Sequence, residues 1–270
     1  MDIDRDSFEA FRDLVYGRAG IVLGEGKQAL VGSRIGKRMR QLGLERFPDY
    51  LDWVKGDGGE EEMIQMLDAI STNVTSFFRE PEHFDFLRKQ LADWAERGET
   101  RLRIWCAASS SGEEPYTLAM TVRESLPDSV RDAKILATDI STKVLSIARK
   151  GVYPPARMEN LPPGYTQRFF ERVGGRESPA WSARSSLREL LRFARLNLAE
   201  PPFPMRGPMD FIFCRNVMIY FDNPVRQRLL SEFHRLLAPG GYLIVGHSES
   251  LTGLTVGFQS VRPSIYRKAP

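Results

Sequence analysis

Apolar residues in the first 75 positions recur at helical spacing, and no strand pattern interrupts them. Three groups of apolar residues follow helical spacing, the second only roughly: Phe8, Phe11, Leu14 and Val15; Leu30, Ile35, Met39 and Leu42; Tyr50, Leu51 and Val54. The break Asp57-Gly58-Gly59 precedes a fourth helical stretch, Glu60–Ile70. The pattern predicts a small all-helical domain.

After about residue 98, short apolar runs alternate with helical segments. We expect strands at residues 102–108, 134–139, 191–197, 209–214 and 242–246, with one or two more within 256–267. We expect helices at 142–150, at 224–237 and after the first strand, where Pro115 falls in a first turn. This alternation predicts a mostly parallel sheet covered on both faces. Gly174-Gly175, Pro179 and Trp181 indicate a small β insertion at about residues 172–197.

Composition and charge narrow the class of protein. With 270 residues and 42% apolar residues, the chain can bury a substantial core, and a net charge of +3 does not point to nucleic acid. No apolar run reaches the roughly 20 residues of a membrane span, and the acidic N-terminus is unlike a signal or transit peptide. Cys106 and Cys214 lie in apolar runs, which favours buried thiols in a reducing cytoplasm over a disulfide framework.

The charge is unevenly distributed along the chain. Residues 1–75 contain ten Lys/Arg and fourteen Asp/Glu, a sum of −4, so the remainder sums to +7. Within the acidic part, residues 27–46 hold six cations against Glu45 alone. This basic segment is either a solvated helix face or a docking surface.

The loop after the first predicted strand is the first candidate ligand site. In open α/β sheets, ligands bind beyond the carboxyl ends of the strands. Residues 107–112 (AASSSG) are small and contain one glycine, instead of the G-x-G-x-x-G of a dinucleotide site. Glu113 and Glu114 stand at the helix start, where a phosphate would otherwise bind. These features favour a nucleoside ligand that lacks phosphate and carries positive charge.

Asp139 ends the second predicted strand, 27 residues after Gly112. A carboxylate there can accept both ribose hydroxyls, or it can cap the following helix; the residue alone does not decide between these roles. S-adenosylmethionine (SAM) fits, since it combines an adenosine and a sulfonium cation without phosphate. The helix–Pro239-Gly240-Gly241–strand sequence is common in class I methyltransferases.

Five phrases together resemble one family, in the family's order and over nearly the whole chain. They are residues 71–84 (STNVTSFFREPEHF), 105–120, 137–140 (ATDI), 211–222 (FIFCRNVMIYFD) and 246–250 (GHSES). The chain thus resembles the chemotaxis receptor glutamate O-methyltransferases (CheR). The resemblance implies an α/β fold: a Rossmann-like class I methyltransferase sheet with helices on both faces, a small β subdomain insertion and an N-terminal all-α domain. It also implies a receptor-docking domain at 1–72, a linker and first helix at 73–98 that close over the cofactor, and a methyltransferase domain at 99–270.

The resemblance also implies roles for individual residues. Asn73, Thr75 and Arg79 would close over the cofactor, with Arg79 pairing its methionine carboxylate; Glu114 would meet its polar tail, Asp139 its ribose, Asn197 and Leu198 the adenine side, and Arg215 and Asn216 the methionine part. Tyr220 would face the reacting centre together with Arg79, although a core aromatic is the alternative for Tyr220. Ala108 and Ser109 replace the commoner Gly and Cys, a change of small for small.

The implied reaction is methyl transfer from SAM to receptor glutamates, giving methyl esters and S-adenosylhomocysteine. A glutamate is already an anion at neutral pH, so no catalytic triad is required. His83, His234 and His247 are scattered along the chain, so no metal site is expected. Methylation of another protein, an RNA or a small molecule is the alternative, as is a catalytically silent receptor-binding module.

The implied partners are the cytoplasmic domains of methyl-accepting chemotaxis receptors. Given the family, the basic segment becomes a receptor-docking surface formed by Arg34, Lys37, Arg38 and Arg40. We expect a cytoplasmic monomer without nucleic acid partners or membrane insertion.

Overall fold

The computed structural model describes residues 2–126, 132–175, 177–254 and 257–269. Its N-terminal part is helical: α1 (Arg5–Ala19), α2 (Gln28–Leu42), α3 (Phe47–Lys55) and α4 (Glu60–Ile70). The predicted apolar stripes pack into one core, in which Phe11, Ile35 and Tyr50 are fully buried. The helical domain predicted from spacing is therefore confirmed.

After the linker, helix α5 (Glu82–Glu96) packs against helix α6 (Glu113–Ser125). Helices α7 (Thr142–Lys150) and α10 (Asn223–Leu236) complete the layers around the main sheet. In the strand Arg101–Cys106, near the middle of this sheet, side chains alternate between two hydrophobic cores. Ile104 and Cys106 lie in one core, and Trp105 lies in the other. Both faces of the sheet are thus covered, as the alternation of elements predicts.

The main sheet has seven strands in the order β6-β2-β1-β7-β8-β10-β9. Its members are β1 (Arg101–Cys106), β2 (Asp132–Asp139), β6 (Leu191–Arg195), β7 (Met209–Cys214), β8 (Leu237–Val245), β9 (Phe258–Arg262) and β10 (Ile265–Lys268). The first five are parallel, and β10 is antiparallel to β8 and β9. From β1, the chain first adds β2 and β6 on one side and then β7 and β8 on the other. The topological switch point therefore lies between the carboxyl ends of β1 and β7. This is the expected α/β, Rossmann-like methyltransferase arrangement.

The C-terminal strands differ from the sequence prediction in one detail. The expected turn at residues 238–241 lies inside β8, whose pairing with β7 shifts register between Met209 and Phe211. Gly240 makes this irregularity possible with a φ of 76°. Of the predicted C-terminal segment, Val256 lies outside the described residues.

The β insertion is larger and earlier than predicted. A separate antiparallel sheet of order β3-β5-β4 joins β3 (Val152–Tyr153), β4 (Phe170–Val173) and β5 (Ala180–Ala183), with the short helix α8 (Tyr165–Phe169) before β4. The boundary of 172–197 is therefore wrong at both ends. Strand β6, which follows the short helix α9 (Ser185–Arg188), pairs in parallel with β2 and belongs to the main sheet. A two-residue strand such as β3 is visible only through its long-range partner.

The helical domain is attached to the carboxyl edge of the main sheet. Asp68 on α4 accepts hydrogen bonds from the N–H of Thr142 (3.1 Å) and from its hydroxyl (2.9 Å), at the start of α7. The Tyr16 hydroxyl donates to Asp222 at 2.7 Å. Gly20 packs so closely on the other domain that an added Cβ would lie 2.7 Å from that of Ala199. No helix among the described residues is long and apolar enough to cross a membrane.

Candidate active site

An open cavity lies at the switch point, between the carboxyl edge of the sheet and the helical domain. A second, smaller cavity adjoins it, and both are lined by Asp139 and Tyr220. The second is mainly apolar, with Ile21, Leu198 and Phe221 among its walls. The two together offer an apolar slot suited to a purine and a polar compartment beside it, which fits the donor and acceptor pattern of SAM.

The structure brings together all ten residues expected to bind the cofactor or act in catalysis. Asn73, Thr75, Arg79, Glu114, Asp139, Arg215, Asn216 and Tyr220 line the large cavity, and Asn197 and Leu198 line the small one. Their roles stay predictions, because proximity to a cavity does not show what each contacts.

Asp139 ties the strand end to the small-residue loop. Its two carboxylate oxygens accept from the backbone N–H groups of Ser110 (2.9 Å) and Ser141 (2.9 Å). The cap of α7 is the Ser141 side chain, which accepts from Val144 at 3.3 Å. The capping alternative for Asp139 is therefore wrong, and the residue lines both cavities. Burial raises the pKa of Asp139.

Arg215 is the electrostatic centre of the polar compartment. Its side chain is fully buried and bridges Glu114 (2.7 Å) and Glu80 (3.0 Å). Burial alone would lower the pKa of Arg215, but the two carboxylates outweigh it and raise that pKa. Burial alone would raise the pKa of Glu80, yet Arg215 and Asn216 hold it below its usual value. Arg215 therefore serves as a fixed cation that orders the acids around it.

Cys106 completes the same network. Its thiol lies 3.3 Å from the Glu114 carboxylate and is fully buried. Burial, and then Glu114, raise the pKa of Cys106 well above its ordinary value. Cys214 is also buried, and burial likewise raises its pKa. Both thiols stay protonated, as expected for buried cysteines that are not nucleophiles.

The linker forms one wall of the large cavity. Arg79 donates to the carbonyl of Val74 at 3.0 Å, so its guanidinium folds back along the linker. The Ser110 hydroxyl donates to the carbonyl of Asn73 at 3.0 Å and joins the linker to the loop after β1. The linker and the loop after β1 therefore line the same cavity and are joined to each other.

Tyr220 lies in a short 3₁₀ helix, Met218–Tyr220, at the cavity wall. Its carbonyl accepts from the N–H of Val22 (2.8 Å), and Ile21 pairs with Phe221 in an isolated bridge. Tyr220 is only partly buried, so the core-aromatic alternative does not hold for it. The helical domain therefore contributes a wall that the sequence analysis did not assign to the site.

Asn197 does not present its amide freely to the small cavity. Its Nδ2 donates to the carbonyl of Arg18 (2.7 Å) and its Oδ1 accepts from the N–H of Ala199 (3.1 Å). The side chain joins the two domains instead, whereas the neighbouring Leu198 is buried at the cavity wall.

Two histidines that the sequence analysis called scattered lie in contact. The rings of His83 and His247 meet at 4.9 Å, and ligand atoms of Glu80, His83 and His247 lie within 4.8 Å of one another. Glu80 is already bonded by Arg215 and Asn216. Burial, with Arg215 nearby, lowers the pKa of His83 to about 3. The absence of a metal site stays a prediction.

Two further carboxylates, Glu80 and Glu249, have structural roles at the site that the sequence analysis did not assign. Glu80 holds Arg215 and Asn216, as described above. Glu249 is 5% exposed and accepts from the N–H groups of Gly246 (2.6 Å), Asn216 (2.8 Å), Val217 (3.0 Å) and Met218 (2.7 Å). It fixes Asn216 at a φ of 58° and so shapes the segment that ends in Tyr220. The only signal in the sequence was the presence of both acids in the family phrases.

The comparisons with known proteins agree with this geometry. Residues 73–266 match the family described as "CheR methyltransferase, SAM binding domain", and residues 6–71 match "CheR methyltransferase, all-alpha domain". Chemotaxis protein methyltransferase 2 of Pseudomonas aeruginosa is 41% identical over 98% of this chain and 94% of its own length. The chemotaxis protein methyltransferase of Escherichia coli is 40% identical over 96% of this chain and 89% of its own length. A relative of the same name from Borreliella burgdorferi is 37% identical over 99% of this chain and 96% of its own length. With a switch-point cavity suited to SAM and matches over nearly its whole length, the chain belongs to the CheR methyltransferase family.

Proposed function

We propose that the protein transfers the methyl group of SAM to glutamate side chains of methyl-accepting chemotaxis receptors, giving glutamate methyl esters and S-adenosylhomocysteine. The observation that carries this proposal is the paired cavity at the switch point, which gathers all ten residues of the expected site. The names of the relatives support the chemotactic substrate.

The chemistry requires positioning more than proton transfer. When bound, SAM supplies a methyl group on a positively charged sulfur, and one oxygen of the acceptor carboxylate bonds to that carbon as the carbon–sulfur bond breaks and its electron pair stays on sulfur. Glutamate has an ordinary pKa of about 4.3, so no base has to remove a proton. Holding the two reactants in line can lower the barrier by roughly 7–11 kcal/mol.

The residues divide these tasks by their surroundings. We propose that Asp139 accepts the ribose hydroxyls, because its carboxylate is held at the cavity wall by two backbone donors. Glu114 meets the amino group of the methionine part, and Arg79 pairs with its carboxylate or with the acceptor. Arg215 keeps Glu114 oriented through its 2.7 Å ion pair. Tyr220 faces the reacting centre.

The remaining predicted contacts follow the two cavities. Asn73 and Thr75 close the linker side of the polar compartment, where Asn216 lines the methionine part. Leu198 packs against the adenine, whereas Asn197 acts through its bond to the helical domain. We propose that residues 73–98 act as this closing segment, between a docking domain at 1–72 and a catalytic domain at 99–270.

The basic surface on α2 is smaller than its sequence suggests. Arg34 donates to the carbonyl of Ile70 at 2.5 Å, and Arg38 pairs with Glu62. Lys37 and Arg40 remain exposed. We propose that Lys37 and Arg40 dock an acidic receptor surface, while Arg34 and Arg38 hold the helical domain together. Of the four cations expected to face the receptor, we therefore propose only these two exposed ones as docking groups.

We further propose that the protein works as a monomer in the cytoplasm, without metal, nucleic acid or membrane insertion. These proposals rest on the family and on the chemistry of a carboxylate acceptor.

One assay separates the proposed function from its alternatives. The protein is incubated with methyl-labelled SAM and a receptor cytoplasmic domain, and the washed product is treated with mild base. We expect label on the receptor that is released as volatile methanol, since esters hydrolyse in base. Base-stable label on the receptor would indicate N- or C-methylation and overturn the proposal. Tight SAM binding without any transfer would indicate a silent receptor-binding module. A receptor whose acceptor glutamates are replaced by alanine is the matched control.

A further inference from the structure

The β subdomain holds the small-residue loop that follows β1. The Tyr153 hydroxyl, on β3, donates to the carbonyl of Ser111 at 2.9 Å. Arg157, in the short 3₁₀ helix Pro155–Arg157 after β3, donates to the Ser111 hydroxyl at 2.8 Å and forms an ion pair with Glu113. The Ser111 hydroxyl in turn donates to Glu113 at 2.7 Å. We refer to Ser111, Glu113, Tyr153 and Arg157 as the loop clamp.

The loop clamp contains a buried charge. The Glu113 side chain is fully buried, whereas 44% of the Arg157 side chain is exposed. Among the residues that the structure describes, Arg157 is the one cation that pairs with Glu113. Because a buried carboxylate that loses its counter-charge is strongly destabilising, the ion pair fixes the loop to the subdomain.

The loop and the subdomain also lie in close van der Waals contact. Gly112 has a φ of 102°, and an added Cβ would lie 2.6 Å from the Tyr153 hydroxyl and 2.9 Å from the Cβ of Ala148. The Tyr153 ring packs edge-on against Phe77 of the linker, with ring centroids 5.1 Å apart. Tyr153 thus contacts both the loop and the linker.

The loop clamp reaches the cofactor cavity through the neighbouring Ser110. Of the described residues, Ser110 lines the large cavity, whereas none of the four clamp residues lines either cavity. The N–H of Ser110 donates to Asp139 at 2.9 Å, and its hydroxyl donates to the carbonyl of Asn73 at 3.0 Å. Because Ser110 and Ser111 share a peptide bond, a shift of Ser111 displaces both of these donors.

We propose that Arg157 and Tyr153 are positioning residues for the SAM site, which act through the backbone of the loop and contact neither reactant. This inference rests on the proposed function in taking SAM as the ligand, and it concerns binding of SAM rather than the acceptor. A loop that is fixed before the ligand arrives lowers the conformational cost of binding. The affinity for SAM therefore depends on side chains outside the cavity.

The test compares Arg157→Met and Tyr153→Phe with Arg168→Met. Arg168 lies on α8 of the same subdomain and pairs with Glu124 at 2.6 Å, near the other end of α6 from Glu113. It is therefore a control of matched chemistry whose partner is distant from the loop. Calorimetry measures the Kd of SAM and the binding stoichiometry for each protein.

We expect Arg157→Met to raise the Kd of SAM by about tenfold, or about 1.4 kcal/mol, and Tyr153→Phe to raise it by about threefold. The control leaves the Kd unchanged, and the stoichiometry is the same in all variants. One nitrogen of Arg157, Nη1, makes both of its contacts, so the ammonium of Arg157→Lys can replace it and should keep the Kd within about threefold of wild type. At saturating receptor, the KM for SAM should rise with the Kd while kcat changes by less than about twofold.

Amide hydrogen exchange in the absence of SAM measures the loop directly. We expect faster exchange at residues 109–112 in Arg157→Met and in Tyr153→Phe than in wild type, because the loop opens more often when the clamp is weakened. Exchange at these residues should be unchanged in Arg168→Met.

Three results would overturn the inference. One is a Kd of SAM for Arg157→Met and Tyr153→Phe equal to that for Arg168→Met. Another is a lower stoichiometry at unchanged Kd, since the clamp would then only stabilise the fold. The third is wild-type exchange at residues 109–112 in both clamp variants. Failure of the proposed function looks different, because SAM would still bind with the expected order of affinities while wild-type protein gave no base-labile receptor label.

Discussion

Removing Arg38 should destabilise the helical domain, because it holds a buried carboxylate. Arg38 donates to Glu62 through Nε at 2.7 Å and through Nη2 at 2.5 Å, and the Tyr50 hydroxyl donates to the same carboxylate at 2.7 Å. The side chain of Glu62 is 7% exposed. In Arg38→Ala, this carboxylate keeps one donor and loses its counter-charge.

The expected cost follows from that geometry. Breaking a buried ion pair by removing one partner costs about 3–5 kcal/mol. Because 25% of the Arg38 side chain reaches water, solvent can replace part of the lost interaction, and we expect about 2–3 kcal/mol. Lys37→Ala removes a neighbouring exposed cation and should change the free energy of unfolding by less than about 0.5 kcal/mol.

Urea unfolding of the full chain, followed by circular dichroism, measures both variants. A midpoint for Arg38→Ala equal to that for Lys37→Ala would refute the buried-pair argument. The double variant Arg38→Met with Glu62→Met should recover much of the loss, since it removes both charges together. If a variant with reversed charge at Arg38 lost receptor methylation, the loss would accordingly reflect instability of the helical domain.

The variants Lys37→Glu and Arg40→Glu test docking, and we expect them to weaken methylation in a salt-dependent manner without changing SAM affinity.

Four further predictions follow from the site. Asp139→Ala should weaken SAM binding at least tenfold in calorimetry, and unchanged affinity would contradict the ribose assignment. Tyr220→Phe should mainly lower kcat at saturating receptor, with SAM affinity preserved; a change confined to SAM affinity would remove Tyr220 from the reacting centre. Glu249→Gln replaces an acceptor of four backbone hydrogen bonds by a group with one acceptor oxygen, so we expect about 2–4 kcal/mol of lost stability and weaker SAM binding; wild-type melting would exclude this positioning role. His83 has a pKa of about 3 when folded and an ordinary value of 6.5, so the unfolded chain binds the extra proton between these pH values. Stability therefore rises with pH through that window, by at most about 1.4 kcal/mol per pH unit, and is fully present above it. His83→Gln should flatten the slope of unfolding free energy between pH 5 and 6, and an unchanged slope would assign it to other groups.

The pairings that the sequence could not predict join residues far apart in the chain. Glu62 is 24 residues from Arg38, and Arg18 is 179 residues from Asn197. A helical wheel places Arg34, Lys37 and Arg38 on one face but does not indicate which of them has a partner on another helix. Likewise, His83 and His247 meet only because α5 packs beside the carboxyl end of β8.

The sequence alone determined those features that depend on residues close together in the chain. The 3.6-residue spacing of Phe8, Phe11 and Val15 specifies a helix, and the alternation of strands and helices after residue 98 specifies a parallel sheet. A switch-point site follows from that alternation, and the short phrases around Arg79, Asp139 and Tyr220 indicate its chemistry.

The tertiary structure decided which groups remain available and which surfaces meet. It placed residues 21–23 of the helical domain in the cavity wall, buried Arg215 between two carboxylates and joined Val152 to a β subdomain that begins 20 residues earlier than predicted. Local patterns record which residues tend to be buried or exposed. They do not record partners, because hydrogen bonds and ion pairs between distant segments form only when the packing of the cores has brought those segments together.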